Sequence, residues 1–401
     1  MADKTLKSLN FGGADNYFPI PLVTAADNDK ILSVVNGEWA VIDFPGNSGE
    51  YVWSKKNSAD GPVTGYVISN DDNKYPDGGW SEGFYYTLEL GPILPYLSFI
   101  GNEDFTLKTG NTTKNWDGTL EYSTDASTWN TWNGTEISSA GNKLYLRGTG
   151  NTKITGSNSS NYRFVFTGTN ALKIACKGNI ENLLDYETVS AGGHPTMASY
   201  CYHGIFWGCT ALTTAPALPA TTLANGCYQY MFRGCTSLTT APALPATTLA
   251  GYCYQSMFDG CTTLTTAPEL PATTMADYCY AYMYDGCTSL TTAPALPATM
   301  LAYSCYRYMF EGCTDLTTVP SLPATTLDQS CYQDMFRNCT SIKLSTTQTG
   351  EYQTAYRIPK SGTGMTATNA LTDMFASTGG AFKGTPSINT TYYLSTSNTV
   401  V

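Results

Sequence analysis

The chain has 401 residues, 42% of them hydrophobic and 13% charged, which makes it globular rather than disordered and leaves room for two to four domains. Its 32 acidic and 21 basic residues give a formal net charge of −11, which excludes nucleic acid as the natural partner because phosphate binding needs a basic stripe. No stretch of about 18 apolar residues occurs, so no membrane-spanning helix is expected, and residues 1–9 lack the apolar run of a secretory signal.

Residues 1–50 open with a stretch rich in Gly, Asn and Pro, after which Asn36-Gly37 stands between two apolar runs. That is a strong hairpin signal, with Val34, Val35, Trp39 and Val41 on its strands. Strand-like pieces at 51–53, 65–68 and 84–90 alternate with turn clusters, so a small β-domain is expected there. The acidic group Asp71, Asp72 and Asp77 reads as solvated turns rather than a calcium loop, because Lys74 and Pro76 interrupt the ligand pattern. Further short strands at 105–107, 120–123, 143–147, 162–166 and 172–176 have the spacing of a β-sandwich. Trp116, Trp129 and Trp132 in that region fit either a sandwich core or a sugar-binding face. Gly148 and Gly150 lack the third glycine of a dinucleotide loop. Residues 180–186 are helix-compatible and precede the repeats directly, the place of an N-terminal cap.

From 201 to 344 a 26-residue unit of the type C-Y-x-x-M-F-x-G-C-T-x-L-T-T-A-P-A-L-P-A-T-T-L-A-x-x recurs six times. Cys201, Cys227, Cys253, Cys279, Cys305 and Cys331 form one column, and Cys209, Cys235, Cys261, Cys287, Cys313 and Cys339 form another. A fixed period of this length marks stacked units that bury a core only by stacking. In the third unit Cys253, Met257 and Cys261, with Tyr254 and Phe258, space like the apolar stripe of a short helix. Gly260 ends it, residues 264–267 are extended, and Pro268 and Pro271 bound a return segment. The cysteines read as buried hydrophobes, since C-x7-C spacing is not a zinc knuckle and parallel side-chain vectors do not suit disulfides. The Thr pairs at 239–240, 265–266, 291–292 and 317–318 are expected to form ladders with hydroxyls paired between coils. Residues 370–375 echo the start of the unit with Ala in the cysteine place, as a degenerate closing coil would.

The repeat resembles the leucine-rich-repeat superfamily, in particular the BspA-like class of bacterial and phage surface proteins, over roughly residues 195–345. The segment ADNDKILSVVNGEWAV at 26–41 is similar to short segments of phage head-fibre and tail-fibre proteins near the end that joins the particle. These resemblances imply a mainly β protein with short helices: N-terminal β-domain(s) followed by a right-handed leucine-rich-repeat-like solenoid of 26-residue coils. The implied division is 1–95 for virion attachment and oligomerisation, 96–180 for a β-sandwich-like domain, 181–345 for the solenoid with its cap, and 346–401 for a degenerate coil and cap. They further imply a phage virion fibre or decoration protein, a homotrimer made in the host cytoplasm and exposed on the particle. Its partners would be capsid or tail proteins through the N-terminal region and a host-surface protein or glycan through the repeats. A bacterial surface adhesin and a capsule-degrading enzyme are the alternatives.

No catalytic constellation, metal site or cofactor site emerges: the two histidines, His194 and His203, stand in no specialised pattern, and no carboxylate pair is marked out. Repeat positions that never change serve packing, so those that vary are free to meet a partner. They collect Trp207, Tyr230, Arg233, Tyr252, Tyr278, Tyr282, Tyr303, Arg307 and Tyr308 into one expected stripe, whose composition is that of contact hot spots.

Overall fold

The computed structural model describes residues 94–112, 114–157 and 162–401, together with the backbone of seven strands between residues 8 and 90. Contacts divide the chain into two units, Met1–Asn47 and Ser48–Val401. In the first unit β1 (Ser8–Asn10) pairs with β2 (Tyr17–Pro19), and β3 (Lys30–Val35) with β4 (Glu38–Asp43), both antiparallel. The register ends at Val35↔Glu38, which leaves the two-residue connection that Asn36-Gly37 predicts. The second unit begins with β5 (Tyr51–Lys56) flanked by β6 (Val63–Ile68) and β7 (Tyr85–Leu90). The acidic group at 71–77 lies outside the described residues.

Nine strands follow: β8 (Leu97–Gly101), β9 (Thr106–Thr109), β10 (Thr119–Ser123), β11 (Asn130–Trp132), β12 (Ile137–Ser138), β13 (Lys143–Thr149), β14 (Phe164–Thr167), β15 (Ile174–Lys177) and β16 (Leu212–Thr214). They make a six-stranded sheet ordered β11-β10-β13-β8-β15-β16 and a three-stranded sheet ordered β12-β9-β14. Phe99 of the larger sheet meets Phe164 and Phe166 of the smaller at 6.1 and 5.2 Å, so the sheets face one another across an aromatic core. Two of the three tryptophans belong to that core. Trp116 and Trp132 are buried and stacked at 5.3 Å, and the Trp132 indole donates to the Thr135 carbonyl at 2.7 Å. Trp129 is half-buried under the Arg147 guanidinium, which lies 4.0 Å above it and 4.4 Å from Tyr186. The protein is thus mainly β, in several small sheets, and α1 (Asn182–Ser190), interrupted by extended backbone at Asp185, is the one α-helix among the described residues.

The short helix expected in each repeat is not formed. Counting from the first Cys of a repeat, positions 3, 5, 7 and 9 donate their amides locally, three residues back, as in His203 to Tyr200 and Ile205 to Tyr202. Positions 2, 4, 6 and 8 donate instead to the following repeat: Tyr202 to Cys227, Gly204 to Gln229, Phe206 to Met231 and Gly208 to Arg233, at 2.7–3.0 Å. The same register recurs down to Phe310 on Met335. The segment is therefore a ribbon of successive turns with half of its backbone bonds spent between repeats. A nine-residue helix is marginal by itself, and Cys, Tyr, Phe and Gly are poor helix formers, so stacking supplies the better partners. Every fourth residue takes the left-handed conformation that such turns demand, Gly204 and Gly208 at φ 58° and 70°, Tyr230 and Gly234 at 57° and 69°.

Inside, the side chains stack in register. Tyr202, Tyr228, Tyr254, Tyr280, Tyr306 and Tyr332 form one column with centroids 5.6–5.8 Å apart. Phe206, Phe232, Phe258, Tyr284, Phe310, Phe336 and Phe375 form a second at 5.4–5.7 Å. All 13 cysteines are free and buried. The second cysteine column is more than filler, because each thiol donates to the carbonyl of an aromatic residue in the preceding repeat: Cys235 to Phe206, Cys261 to Phe232 and Cys287 to Phe258, each at 3.1 Å. From one repeat to the next, extended pairing is sparse and takes the form of isolated parallel bridges such as Thr240↔Thr266 and Thr266↔Thr292. The Thr hydroxyls do not pair with one another as expected. Thr265 and Thr317 bond to carbonyls of the preceding repeat at 3.5 and 3.2 Å, since a fixed backbone acceptor lies within reach of each.

Both ends of the stack are covered. Ile154, Phe164, Ile174 and Ile180 donate to the carbonyls of Cys201, Ile205, Ala211 and Ala217, and Phe164 also accepts the Cys209 thiol, so the cap is much larger than residues 180–186. At the far end Tyr332, Asp334, Phe336 and Asn338 donate to Ala370, Thr372, Met374 and Ala376. A sheet of β18 (Leu344–Ser345), β20 (Thr391–Ser395) and β19 (Tyr352–Arg357) lies beyond, and β21 (Thr399–Val400) pairs in parallel with β17 (Thr318–Val319).

Two measurements check this interior. Burial pushes the thiols of Cys209, Cys261 and Cys331 up to about 12, so native protein is expected to be inert to a thiol reagent and unfolded protein to expose all 13. Native disulfides or several fast-reacting thiols would contradict the packing. Tyr284 carries a buried hydroxyl without a partner in a column otherwise made of Phe, so Tyr284→Phe should raise stability by about 1 kcal/mol, read as a higher urea midpoint.

Candidate functional site

The turn ribbon sets the outward residues of each repeat in rows and columns, and the nine candidates fall into three groups on it. All nine are half-buried. In the first group Trp207 stacks on Tyr230 at 5.9 Å, while the Arg233 guanidinium lies 5.4 Å from the Trp207 ring and 5.5 Å from that of Tyr230. In the second, Tyr252 stacks on Tyr278 at 4.9 Å and Tyr303 closes the row edge-on at 5.1 Å. In the third, Tyr282 stacks on Tyr308 at 4.7 Å beneath the Arg307 guanidinium, 4.9 Å above Tyr308.

Five of these tyrosines, Tyr230, Tyr252, Tyr278, Tyr282 and Tyr308, have φ between 55° and 59°, as has Tyr200 at 60°. The same columns hold Gly226 at 57° and Gly204 at 58°, where no Cβ opposes the conformation. A side chain there costs about 1–2 kcal/mol, and an aromatic is an uncommon occupant. The tyrosines are thus held against local backbone preference, a condition that concentrates at functional surfaces. The Tyr200 ring leans over the next repeat: a Cβ built on Gly226 would stand 2.4 Å from it.

Beside the aromatic columns runs a charged one at position 7 of the repeat: Arg233, Asp259, Asp285, Glu311 and Arg337 in successive repeats. Arg233 pairs with Asp259 at 2.8 Å and Arg337 with Glu311 at 3.7 Å. Asp285 stands between the two acids with no ion pair among the described residues. Burial, then Asp259 and Glu311, pushes its carboxyl up to about 7, with Arg233 offsetting part of the effect. The histidines lie apart from this row. His194 meets the buried Glu181 at 2.8 Å, and His203, edge-on to Tyr200 and Tyr230, is held down to about 4 by burial. The missed signal was a period of four: positions 1, 5 and 9 are apolar while 4, 8 and 26 carry Gly, Ser, Asp, Asn or Tyr, which marks repeated left-handed turns.

Among the described residues no group of His, Cys, Asp and Glu could hold a metal ion, and no helix is long and apolar enough to cross a membrane. No protein-family model, curated protein or solved structure matches the chain. Chemically the face offers phenol edges, guanidinium groups and a half-buried carboxylate row, a surface for contact and hydrogen bonding.

The raised carboxyl gives a pH signature with a definite sign. An unfolded Asp titrates near 3.9, so between about pH 4 and 7 the folded state binds the extra proton and stability falls as pH rises. Asp285→Asn removes this penalty. Its gain in urea midpoint over the native chain should be small at pH 4.5 and full at pH 8; a gain independent of pH would rule out the carboxylate row as its source.

Proposed function

We propose that the chain is a virion fibre or decoration protein of a phage or prophage that adheres to a bacterial surface through the aromatic face of its repeats. The single observation that carries the adhesive part is the row of tyrosines held in left-handed backbone where glycine would be relaxed. Packing does not ask for them, since the buried columns are complete without their rings. In this reading the repeats form a right-handed leucine-rich-repeat-like solenoid of 26-residue coils, supported by the constant register from one repeat to the next. Residues 1–95 join the particle and hold a homotrimer together, a reading supported by the likeness of residues 26–41 to fibre proteins. The chain acts by binding rather than by catalysis, and the receptor is a protein or glycan of the host surface.

The test uses the backbone itself. Tyr282→Gly with Tyr308→Gly keeps φ near 57° available at no steric cost, so folding is expected to survive while adhesion to host cells weakens at least about tenfold, roughly 1.4 kcal/mol. Unchanged adhesion in the folded double variant would remove the receptor site from this face. Light scattering of the full chain should return three times its 43.3 kDa mass, and a monomer would end the trimer proposal.

A further inference from the structure

Two of the bonds that tie the first repeat to the sandwich flank the connection from β14 to β15: the Phe164 amide donates to the Ile205 carbonyl at 2.7 Å and the Ile174 amide to that of Ala211 at 2.8 Å. Between them two adjoining cavities open, with Phe166, Thr210 and Ala211 in the walls of both. The smaller, about 90 Å³, has Arg163 and Trp207 in its wall. The larger, about 420 Å³, takes in Thr169, Asn170 and Lys173 of the connection and reaches Thr236 and Ser237 of the second repeat. That volume falls within the roughly 300–1,000 Å³ of small-molecule sites. Each cavity has one cation in its wall and no carboxylate, on a chain whose net charge is −11. The Arg163 guanidinium donates to the Trp207 carbonyl at 3.2 Å and the Lys173 ammonium to the Ser237 hydroxyl at 2.7 Å. Neither has an ion pair among the described residues. The carboxylate tied to this connection, that of Glu103, accepts from the Thr169 amide and hydroxyl at 2.8 and 2.6 Å and lines neither cavity.

We propose that the larger cavity binds an acid-bearing sugar, with its carboxylate or phosphate on the Lys173 ammonium and its ring hydroxyls against the threonines. None of its residues belongs to the tyrosine rows, so it stands or falls apart from them. An ammonium has three N–H groups, and with one on Ser237 two remain for an anion. Such charge-assisted bonds are roughly twice as strong as neutral ones. The hydroxyls of Thr167, Thr210 and Thr236, all exposed, each donate and accept, which matches sugar hydroxyls in either direction. A bare inorganic anion would engage Lys173 and leave that hydroxyl wall to water, and a neutral sugar would forgo the bond to the charge. Arg163 adds a second positive charge beyond the shared wall. The net charge of the chain does not oppose the binding, because at physiological ionic strength charges more than about 8 Å away are largely screened and the local cations dominate.

The experiment titrates the full chain by calorimetry with a uronate disaccharide, sialyllactose, a hexose phosphate and lactose. Native protein is expected to bind at least one of the acid-bearing sugars, and whether that one carries carboxylate or phosphate identifies the anion. Lactose should bind at least tenfold more weakly. Lys173 is exposed, so Lys173→Gln should keep the native thermal midpoint while binding the acidic sugar at least tenfold more weakly. Lys173→Arg keeps the charge and should retain most of the affinity. A readout on the native chain needs no substitution: raising the salt from about 0.05 to about 0.5 M should weaken the binding several-fold. No binding of any acid-bearing sugar, equal affinity for lactose, undiminished affinity in folded Lys173→Gln, or binding indifferent to salt would each overturn the proposal. Host-cell adhesion that survives Lys173→Gln but not Tyr282→Gly with Tyr308→Gly would leave the tyrosine face as the adhesive one, while the calorimetry alone decides the cavity.

Discussion

The division of the backbone amides in the ribbon governs the rest of the structure. Alternate N–H groups bond three residues back and alternate ones bond the following repeat, so the backbone amides at positions 2 to 9 of each repeat are all paired. A bond from position 2 of one repeat to position 1 of the next exists only if both repeats keep the same length and the same turn pattern. The 26-residue period, the column of left-handed residues from Gly208 to Gly312 and the in-register aromatic stacks are consequences of that single requirement. The thiol column adds a second tie. The Phe206 carbonyl takes both the Cys209 amide and the Cys235 thiol, which clamps each repeat to its neighbour from the inside.

What could be read in the residues was what repeats or alternates. The Asn36-Gly37 connection, the strands of the sheets and the buried cysteine columns were legible because each rests on local turn chemistry or on strict periodicity. The ribbon was not, for a reason of arithmetic. Over nine residues, apolar positions 1, 2, 5, 6 and 9 satisfy a period of 3.6 nearly as well as a period of 4, and the two differ by less than one residue at the end of the segment. Trp116 and Trp132 were ambiguous because burial depends on which strands face each other across two sheets. On the candidate face the variable residues were legible as a stripe. Their grouping into three aromatic sets and the isolation of Asp285 depend on which repeat follows which, and on how the rings stack.

The outward tyrosines balance two terms. Each carries the cost of a Cβ in left-handed backbone, and each gains from a stacked neighbour, of the order of 0.5–1.5 kcal/mol beyond area burial. The two nearly cancel, so this face can change composition without moving the fold. The interior has no such latitude, since Tyr228, Phe232, Met231 and both cysteine columns are wholly enclosed.

The covered ends have one more consequence. The first repeat is closed by Ile154, Phe164, Ile174 and Ile180, the last by residues 370–376, and neither cover touches the middle of the stack. The number of units between them is therefore not constrained by the covers. Gain or loss of a whole unit leaves the backbone hydrogen bonds of the ribbon with equivalent partners. It would shift the outward columns by one rung, so the architecture lets the outward surface be rearranged by whole units while the interior stays as it is.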